Sequence, residues 1–378
     1  MANILDYLRW RGDLPLTASP FNAVDSLILS VLAYVPFDGV VPPSTTRKGP
    51  TIAEAAAGLA ESGAAAFRDG DDRDLLAALA ASERFGSMRL CAYENVIDIG
   101  REKQFAAVTA LTGDGSAYVA YRGTDHTLVG WKEDFNMSFM TPVPAQEAAV
   151  AYLERVASGL RGRLRLGGHS KGGNLAVYAA SFCRPRTQRR VSAVYNNDGP
   201  GFDASVIARD GYRNVQDRIR SFVPQSSIIG MLLEHAERYT VVQSTESGLM
   251  QHDPYSWSVL GTDFITVQQV TDESLFVDRT LKEWVGAMEP AQRELFIDAV
   301  FDVLSATEAK TLSELSGDWL KSSITVAKTL RGLDEATRKV MLDALKLLFK
   351  AMRESLPAIM PSFPSSKEAK KRPKARSD

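Results

Sequence analysis

The sequence predicts an α/β fold, a mostly parallel sheet covered by helices, on three observations. Strand-like and helix-like stretches alternate through the middle of the chain, the turn Gly168-His169-Ser170-Lys171-Gly172 joins one such strand to one such helix, and both ends are helical instead. Alternation of this kind calls for crossover helices, which bury the faces of a parallel sheet.

In chain order, residues 21–32 and the alanine-rich residues 52–81 carry helix formers. The stretch between them, 36–50, is rich in proline, glycine and hydroxyl side chains and reads as a loop. Residues 105–111 and 117–121 are strand-like runs joined by Thr112-Gly113-Asp114-Gly115, a hairpin connection. Further strands are expected at 164–166, 191–195, 218–223 and 239–243, with helices at 144–160 and 173–183. Residues 289–352 bring apolar side chains back at helical spacing, as in Leu295, Ile297, Val300, Phe301 and Leu304. From Pro361 onward six basic residues stand against two acidic ones in a stretch that cannot bury apolar area and is expected to be disordered. The chain therefore divides into a helical N-terminal segment packed on the core (1–85), an α/β core (86–280), a C-terminal helical region (281–360) and a basic tail (361–378).

Composition excludes several classes. In 378 residues, 45% hydrophobic and 24% charged, the mixture is that of a folded globular chain and not of a disordered, collagenous or coiled-coil one. A formal net charge of −2 gives no ground for a nucleic-acid or anionic-membrane partner, and the basic tail reads as a solubilising end. Cys91 and Cys183 are too few for a disulfide framework or a cysteine zinc cluster and fit a reducing, cytoplasmic setting. Asp6, Arg9 and Arg11 fall where an export signal needs an apolar run, and no uncharged apolar stretch reaches the roughly 18 residues of a membrane span. Nothing calls for a metal or an organic cofactor.

The chemistry is concentrated at Gly168-His169-Ser170-Lys171-Gly172, which fits G-x-S-x-G between a strand and a helix. A serine nucleophile on so sharp a turn needs glycine on either side, here Gly168 and Gly172, with His169 as the remaining elbow residue. Serine is a poor nucleophile by itself, so a base must reach it and a carboxylate must orient the base. In chains with an elbow of this kind the order is serine, acid, histidine, which removes His126 and leaves His235 and His252. His235 lies in a helix expected over 231–238. His252, in the proline-bounded loop Gln251-His252-Asp253-Pro254 past the last expected strand, is the better base. Asp198 lies in Asn196-Asn197-Asp198-Gly199, which follows the strand expected at 191–195 immediately, at the carboxyl edge where open α/β sheets bind ligands, and is the expected acid ahead of Asp253, Asp217 and Glu246. An oxyanion hole needs two donors. The N–H of Lys171 supplies one, and the N–H and hydroxyl of Thr124, in Tyr121-Arg122-Gly123-Thr124 after an earlier strand, are expected to supply the other.

With the elbow and Tyr121-Arg122-Gly123-Thr124 both present, the chain resembles the class 3 lipases, which carry a similar [F/Y]-R-G-T/S segment before G-H-S-x-G-G. Trp131-Lys132-Glu133-Asp134 is similar to the W-x-x-D continuation of that family, and Gly172-Gly173-Asn174-Leu175-Ala176 to its helix start. Across residues 20–265 it also resembles a bacterial family of lipase-like proteins of unknown function, through Phe21-Asn22-Ala23-Val24-Asp25, Asn197-Asp198-Gly199-Pro200-Gly201-Phe202, Val223-Pro224-Gln225-Ser226-Ser227 and Gln251-His252-Asp253. The resemblance implies an α/β-hydrolase fold with Ser170 as nucleophile, His252 as base and Thr124 as oxyanion donor, and an ester or lipid as substrate. One departure stands out: class 3 lipases place the acid where Val223-Pro224-Gln225-Ser226-Ser227 has no carboxylate. Two readings follow, a serine hydrolase whose acid has moved to Asp198, or a relative with little or no activity that binds a lipid or a protein. Contact between Asp198 and His252 separates them.

Overall fold

A computed structural model of the chain describes residues 1–62, 67–68, 70–124, 132–134, 136–137, 140–305, 335, 337–339, 342–343 and 346. The helix expected over most of 306–352, the basic tail, His126 and Trp131 lie outside the described residues.

The N-terminal helices begin on asparagine caps. Asn3 caps α1 (Ile4–Arg11) and Asn22 caps α2 (Ala23–Leu32), each closing a capping box with an aspartate three residues on, Asp6 and Asp25. The single stretch expected over 52–81 is two helices, α3 (Ile52–Ser62) and α4 (Gly70–Ala81). Gly70 opens the second, and the alanine-rich periodicity of 52–81 does not show the break.

The main sheet has eight strands. β1 (Arg89–Asp98), β2 (Lys103–Leu111) and β3 (Ser116–Tyr121) pair antiparallel. From β3 the sheet continues in parallel through β4 (Arg163–His169), β5 (Val191–Asn197), β6 (Ile219–Pro224) and β7 (Tyr239–Val242). Beyond it β8 (Val259–Leu260) and β9 (Asp263–Phe264) form a small hairpin, and β10 (Thr266–Val267) closes the edge antiparallel to β7.

The order β3 to β7 runs in sequence, so right-handed crossovers all step the same way and their helices fall on one face. That face holds α5 (Pro144–Gly159) and α6 (Lys171–Phe182), whose Ala145, Leu153, Leu175 and Ala179 pack on Val119, Leu164 and Leu166. The opposite face would be bare without the N-terminal helices. Val24, Leu27 and Val31 of α2 join Tyr118, Ala120 and Tyr195 in the second core, on the alternate residues of the same strands. α2 is buried nearly all round, from Val24 to Leu32, as a helix roofing a sheet must be.

Two expectations change. β1 was not expected, because its alternation is broken by a bulge between Cys91 and Glu94, with Ala92 at φ 56° and four successive buried residues from Leu90 to Tyr93. The helix expected over 231–238 does not form. Leu233 takes φ 63°, and Glu234 instead bridges Phe202 through two backbone hydrogen bonds of 2.8 and 3.0 Å, so the segment pairs with the turn after β5. Downstream, α7 (Asp272–Gly286) runs through residue 280, where a domain boundary was expected, and α8 (Pro290–Ser305) packs back on it with Trp284 edge-on to Phe296 at 5.5 Å. No described helix is long and apolar enough to cross a membrane.

Candidate active site

Ser170 is the single residue between β4 and α6, at φ 59° and ψ −136°, a conformation that costs a side chain of this kind about 1–3 kcal/mol. The turn is held by Ser170 N–H donating to Asn197 O at 2.9 Å and by Gly173 N–H donating to Ser170 O at 2.9 Å. Its flanking glycines are steric necessities: a Cβ on Gly168 would lie 2.2 Å from the carbonyl carbon of Gly172, and one on Gly172 would lie 2.1 Å from Tyr121 O.

Asp198 follows β5 immediately, at φ 55°, its N–H donating to Phe222 O of β6 at 2.8 Å. Its carboxylate is buried and has two partners. Oδ2 accepts from His252 Nδ1 at 2.6 Å, and Oδ1 accepts from the Ser227 hydroxyl at 2.5 Å, which in turn receives Gly230 N–H at 3.0 Å. The acid and the histidine that the sequence put forward are therefore brought together across 54 residues. His252 ends a 3-10 turn, Gly248–His252, and keeps 27% of its side chain exposed. Asp253, beside it, instead caps the next turn by accepting from Tyr255 N–H at 3.1 Å.

His169 has its own part. Its Nε2 donates to His252 O at 2.7 Å, and its ring lies 4.6 Å from the His252 ring. Burial, then the neighbouring His252 and Arg68, hold its pKa well below the usual histidine value, so the ring is neutral. With the proton on Nε2, Nδ1 accepts from the Tyr34 hydroxyl at 3.3 Å. The residues after α2 are thus linked, through His169, to the loop that carries His252.

The Thr124 hydroxyl donates to Asp134 Oδ2, so its proton is committed there and, of the two groups expected to receive an oxyanion, only the backbone N–H stays available. This narrows the expectation that both groups would serve. The Lys171 side chain turns inward. It is 1% exposed, and Nζ donates to Glu133 Oε2 at 2.9 Å and to Gln104 Oε1 at 2.9 Å, with Asp134 Oδ1 at 3.6 Å.

Ser227, Glu133 and Gln104 were not foreseen. Ser227 had a signal, since it lies in the segment where the resembled family keeps its acid. So did Glu133, because a lysine following the nucleophile in a tight elbow cannot reach solvent and needs an anion.

Beside Ser170 a cavity of about 520 Å³ opens between the turn after β5, the 228–234 segment and the α7–α8 pair. Its wall is mainly apolar, with Phe202, Ile229, Leu232, Trp284, Phe296 and Ile297 around Ser170.

Sheet order, a strained serine at the strand-to-helix turn and an acid after β5 joined to a histidine beyond β7 define a chain with the α/β-hydrolase fold. The Mbeg1-like family model matches residues 79–302, well over half the chain, and the chain belongs to that family. Among solved structures it is similar to a native propeptide complex of Rhizomucor miehei lipase, at 15% identity over 42% of this chain and 57% of that one, TM-score 0.29. It is also similar to M37 lipase, at 14% identity over 55% of this chain and 69% of that one, TM-score 0.34. No curated protein matches.

Proposed function

We propose that this chain is a serine hydrolase cleaving carboxylic esters that have an apolar acyl part. The observation that carries the reading is the 2.6 Å bond from His252 Nδ1 to Asp198 beside the strained Ser170 turn. Ser170 Oγ attacks the ester carbonyl while His252 Nε2 takes its proton, and the N–H groups of Thr124 and Lys171 receive the oxyanion. Collapse of the tetrahedral intermediate breaks the C–O bond, and His252 returns the proton to the departing alcohol. Water then attacks the acyl-serine with His252 as base, releasing the acid and restoring the Ser170 hydroxyl. Asp198 accepts the Nδ1 proton of His252 and so orients the imidazole. The motive for a purely binding role was the missing carboxylate after β6. Ser227 stands in that segment and donates to Asp198, which supports one acid in a changed position over none.

The apolar cavity supports an acyl chain lying under α7 and α8. Two buried free thiols, Cys91 and Cys183, fit a cytoplasmic setting.

Fluorophosphonate labelling of the purified protein tests the reading without knowledge of the natural substrate. Wild type labels and Ser170→Ala does not. An unlabelled wild type, or a labelled Ser170→Ala, would overturn it. The cavity makes a second prediction. Trp284→Ala removes the largest aromatic from the α7–α8 wall, and the kcat/KM ratio of a long-chain to a short-chain p-nitrophenyl ester is expected to rise about 10-fold. A ratio unchanged within a factor of about two places the acyl chain elsewhere.

A further inference from the structure

The two residues that offer oxyanion donors are tied together by one charge cluster, buried at Lys171 and Glu133 and half-buried at Asp134. Lys171 Nζ reaches Glu133 at 2.9 Å, the Gln104 side chain at 2.9 Å and Gln104 O at 3.2 Å. Glu133 is fully buried and is itself anchored, with Oε2 accepting from Gln104 N–H at 3.0 Å and Oε1 from Ala145 N–H at 2.8 Å. The next residue, Asp134, lies 3.6 Å from Lys171 Nζ and accepts the Thr124 hydroxyl. A path of charged groups thus runs from the residue after the nucleophile to the residue carrying the second donor. Buried ion pairs are poor stabilisers, because desolvation offsets their attraction, and apolar replacements of the whole pair are often neutral. A pair kept at this place is better explained by what it holds.

We propose that Lys171 and Glu133 are positioning residues for the oxyanion hole: the pair fixes the first turn of α6 against β2 and keeps Asp134 a charged acceptor that holds Thr124. This rests on the hydrolase reading and adds to it residues that touch no substrate. Besides Glu133 and Lys171, Tyr34 also interacts with Asp134 among the described residues and is itself under the influence of Arg68 and Arg122. Tyr34 is pushed up to about 12 by burial and stays neutral near pH 7. Burial raises the Asp134 carboxyl to about 6, against the pull of Lys171 and the Thr124 hydroxyl. The sign follows: Asp134 is charged above that pH, and without Lys171 it holds its proton to higher pH.

The experiment compares wild type with Lys171→Met, Lys171→Arg, Glu133→Gln and the double variant Lys171→Met/Glu133→Gln. Thermal melting establishes folding; the readouts are fluorophosphonate labelling rate and p-nitrophenyl ester kinetics across pH. Lys171→Met is expected to label about 10- to 100-fold more slowly, less than the loss of an oxyanion donor outright, through kcat with KM nearly unchanged. Its acid limb moves to higher pH, and Lys171→Arg recovers part of the rate. The double variant removes charge of both signs together, so it is expected to fold and still to label slowly. If Lys171→Met or the folded double variant labels at the wild-type rate with an unmoved acid limb, the positioning role is overturned while the hydrolase reading stands. If wild type does not label, the hydrolase reading is what fails.

Discussion

Asp198→Asn is expected to lower the fluorophosphonate labelling rate by about 10³- to 10⁴-fold while leaving the protein folded. The reason is the tautomer. Asp198 Oδ2 accepts the Nδ1 proton of His252 at 2.6 Å, which leaves Nε2 unprotonated and able to take the proton of Ser170. An amide at 198 that turns its NH₂ toward Nδ1 moves the ring proton to Nε2, and the base is lost although the shape of the site is unchanged. The same variant keeps an acceptor for the Ser227 hydroxyl, which now lies 2.5 Å from Oδ1, if the amide oxygen takes that side. Ser227→Ala is expected to be milder, a loss of about 10-fold, because it removes one hydrogen bond to the carboxylate and leaves the histidine contact in place. Melting curves with the labelling rates separate the two effects. If Asp198→Asn labels within a few-fold of wild type, Asp198 does not orient the base.

The parts of this site legible in the sequence are those fixed by local geometry. Ser170 could be read because a strand-to-helix turn with glycines at 168 and 172 has few steric alternatives, and the two Cβ clashes are the physical content of the pattern. Asp198 could be read because it directly follows a strand, and His252 because a proline-bounded loop after the last expected strand can bend back. What stayed hidden depends on pairing over distance. Ser227 meets Asp198 only because β6 lies beside β5, and Glu133 meets Lys171 across 38 residues and a crossover. β1 escaped notice for a local reason: its bulge spoils the alternation by which a strand is recognised. In the wall of the cavity α8 was legible as a helix while α7, most of it ahead of the region read as helical, was not, and periodicity says nothing of what a helix covers.

The N-terminal segment supplies the other large expected effect. Asp25→Ala is expected to destabilise the fold by about 3–5 kcal/mol, the cost of leaving a buried guanidinium without its partner. Asp25 and Arg84 are both fully buried and meet through Nε at 2.7 Å and Nη2 at 2.5 Å, while Asp25 also accepts the Tyr7 hydroxyl at 2.9 Å and Asn22 N–H at 2.9 Å. Arg84 donates its remaining protons to the carbonyls of Leu14, Ser19 and Pro20, so one ion pair fastens α1, α2, the chain between them and the residues after α4. Removal of Asp25 strands that cation and loosens the cover on one face of the sheet. The melting temperature is expected to fall by about 10 °C or more, and Asp25→Leu combined with Arg84→Met to recover much of it, since no buried charge is then left alone. Activity is expected to fall with the cover: Tyr34, just beyond α2, bonds His169, and His169 bonds the carbonyl of His252. If Asp25→Ala melts within about 2 °C of wild type, the N-terminal helices do not depend on this pair. If it melts early but labels at the wild-type rate at low temperature, they stabilise the sheet without steadying the base.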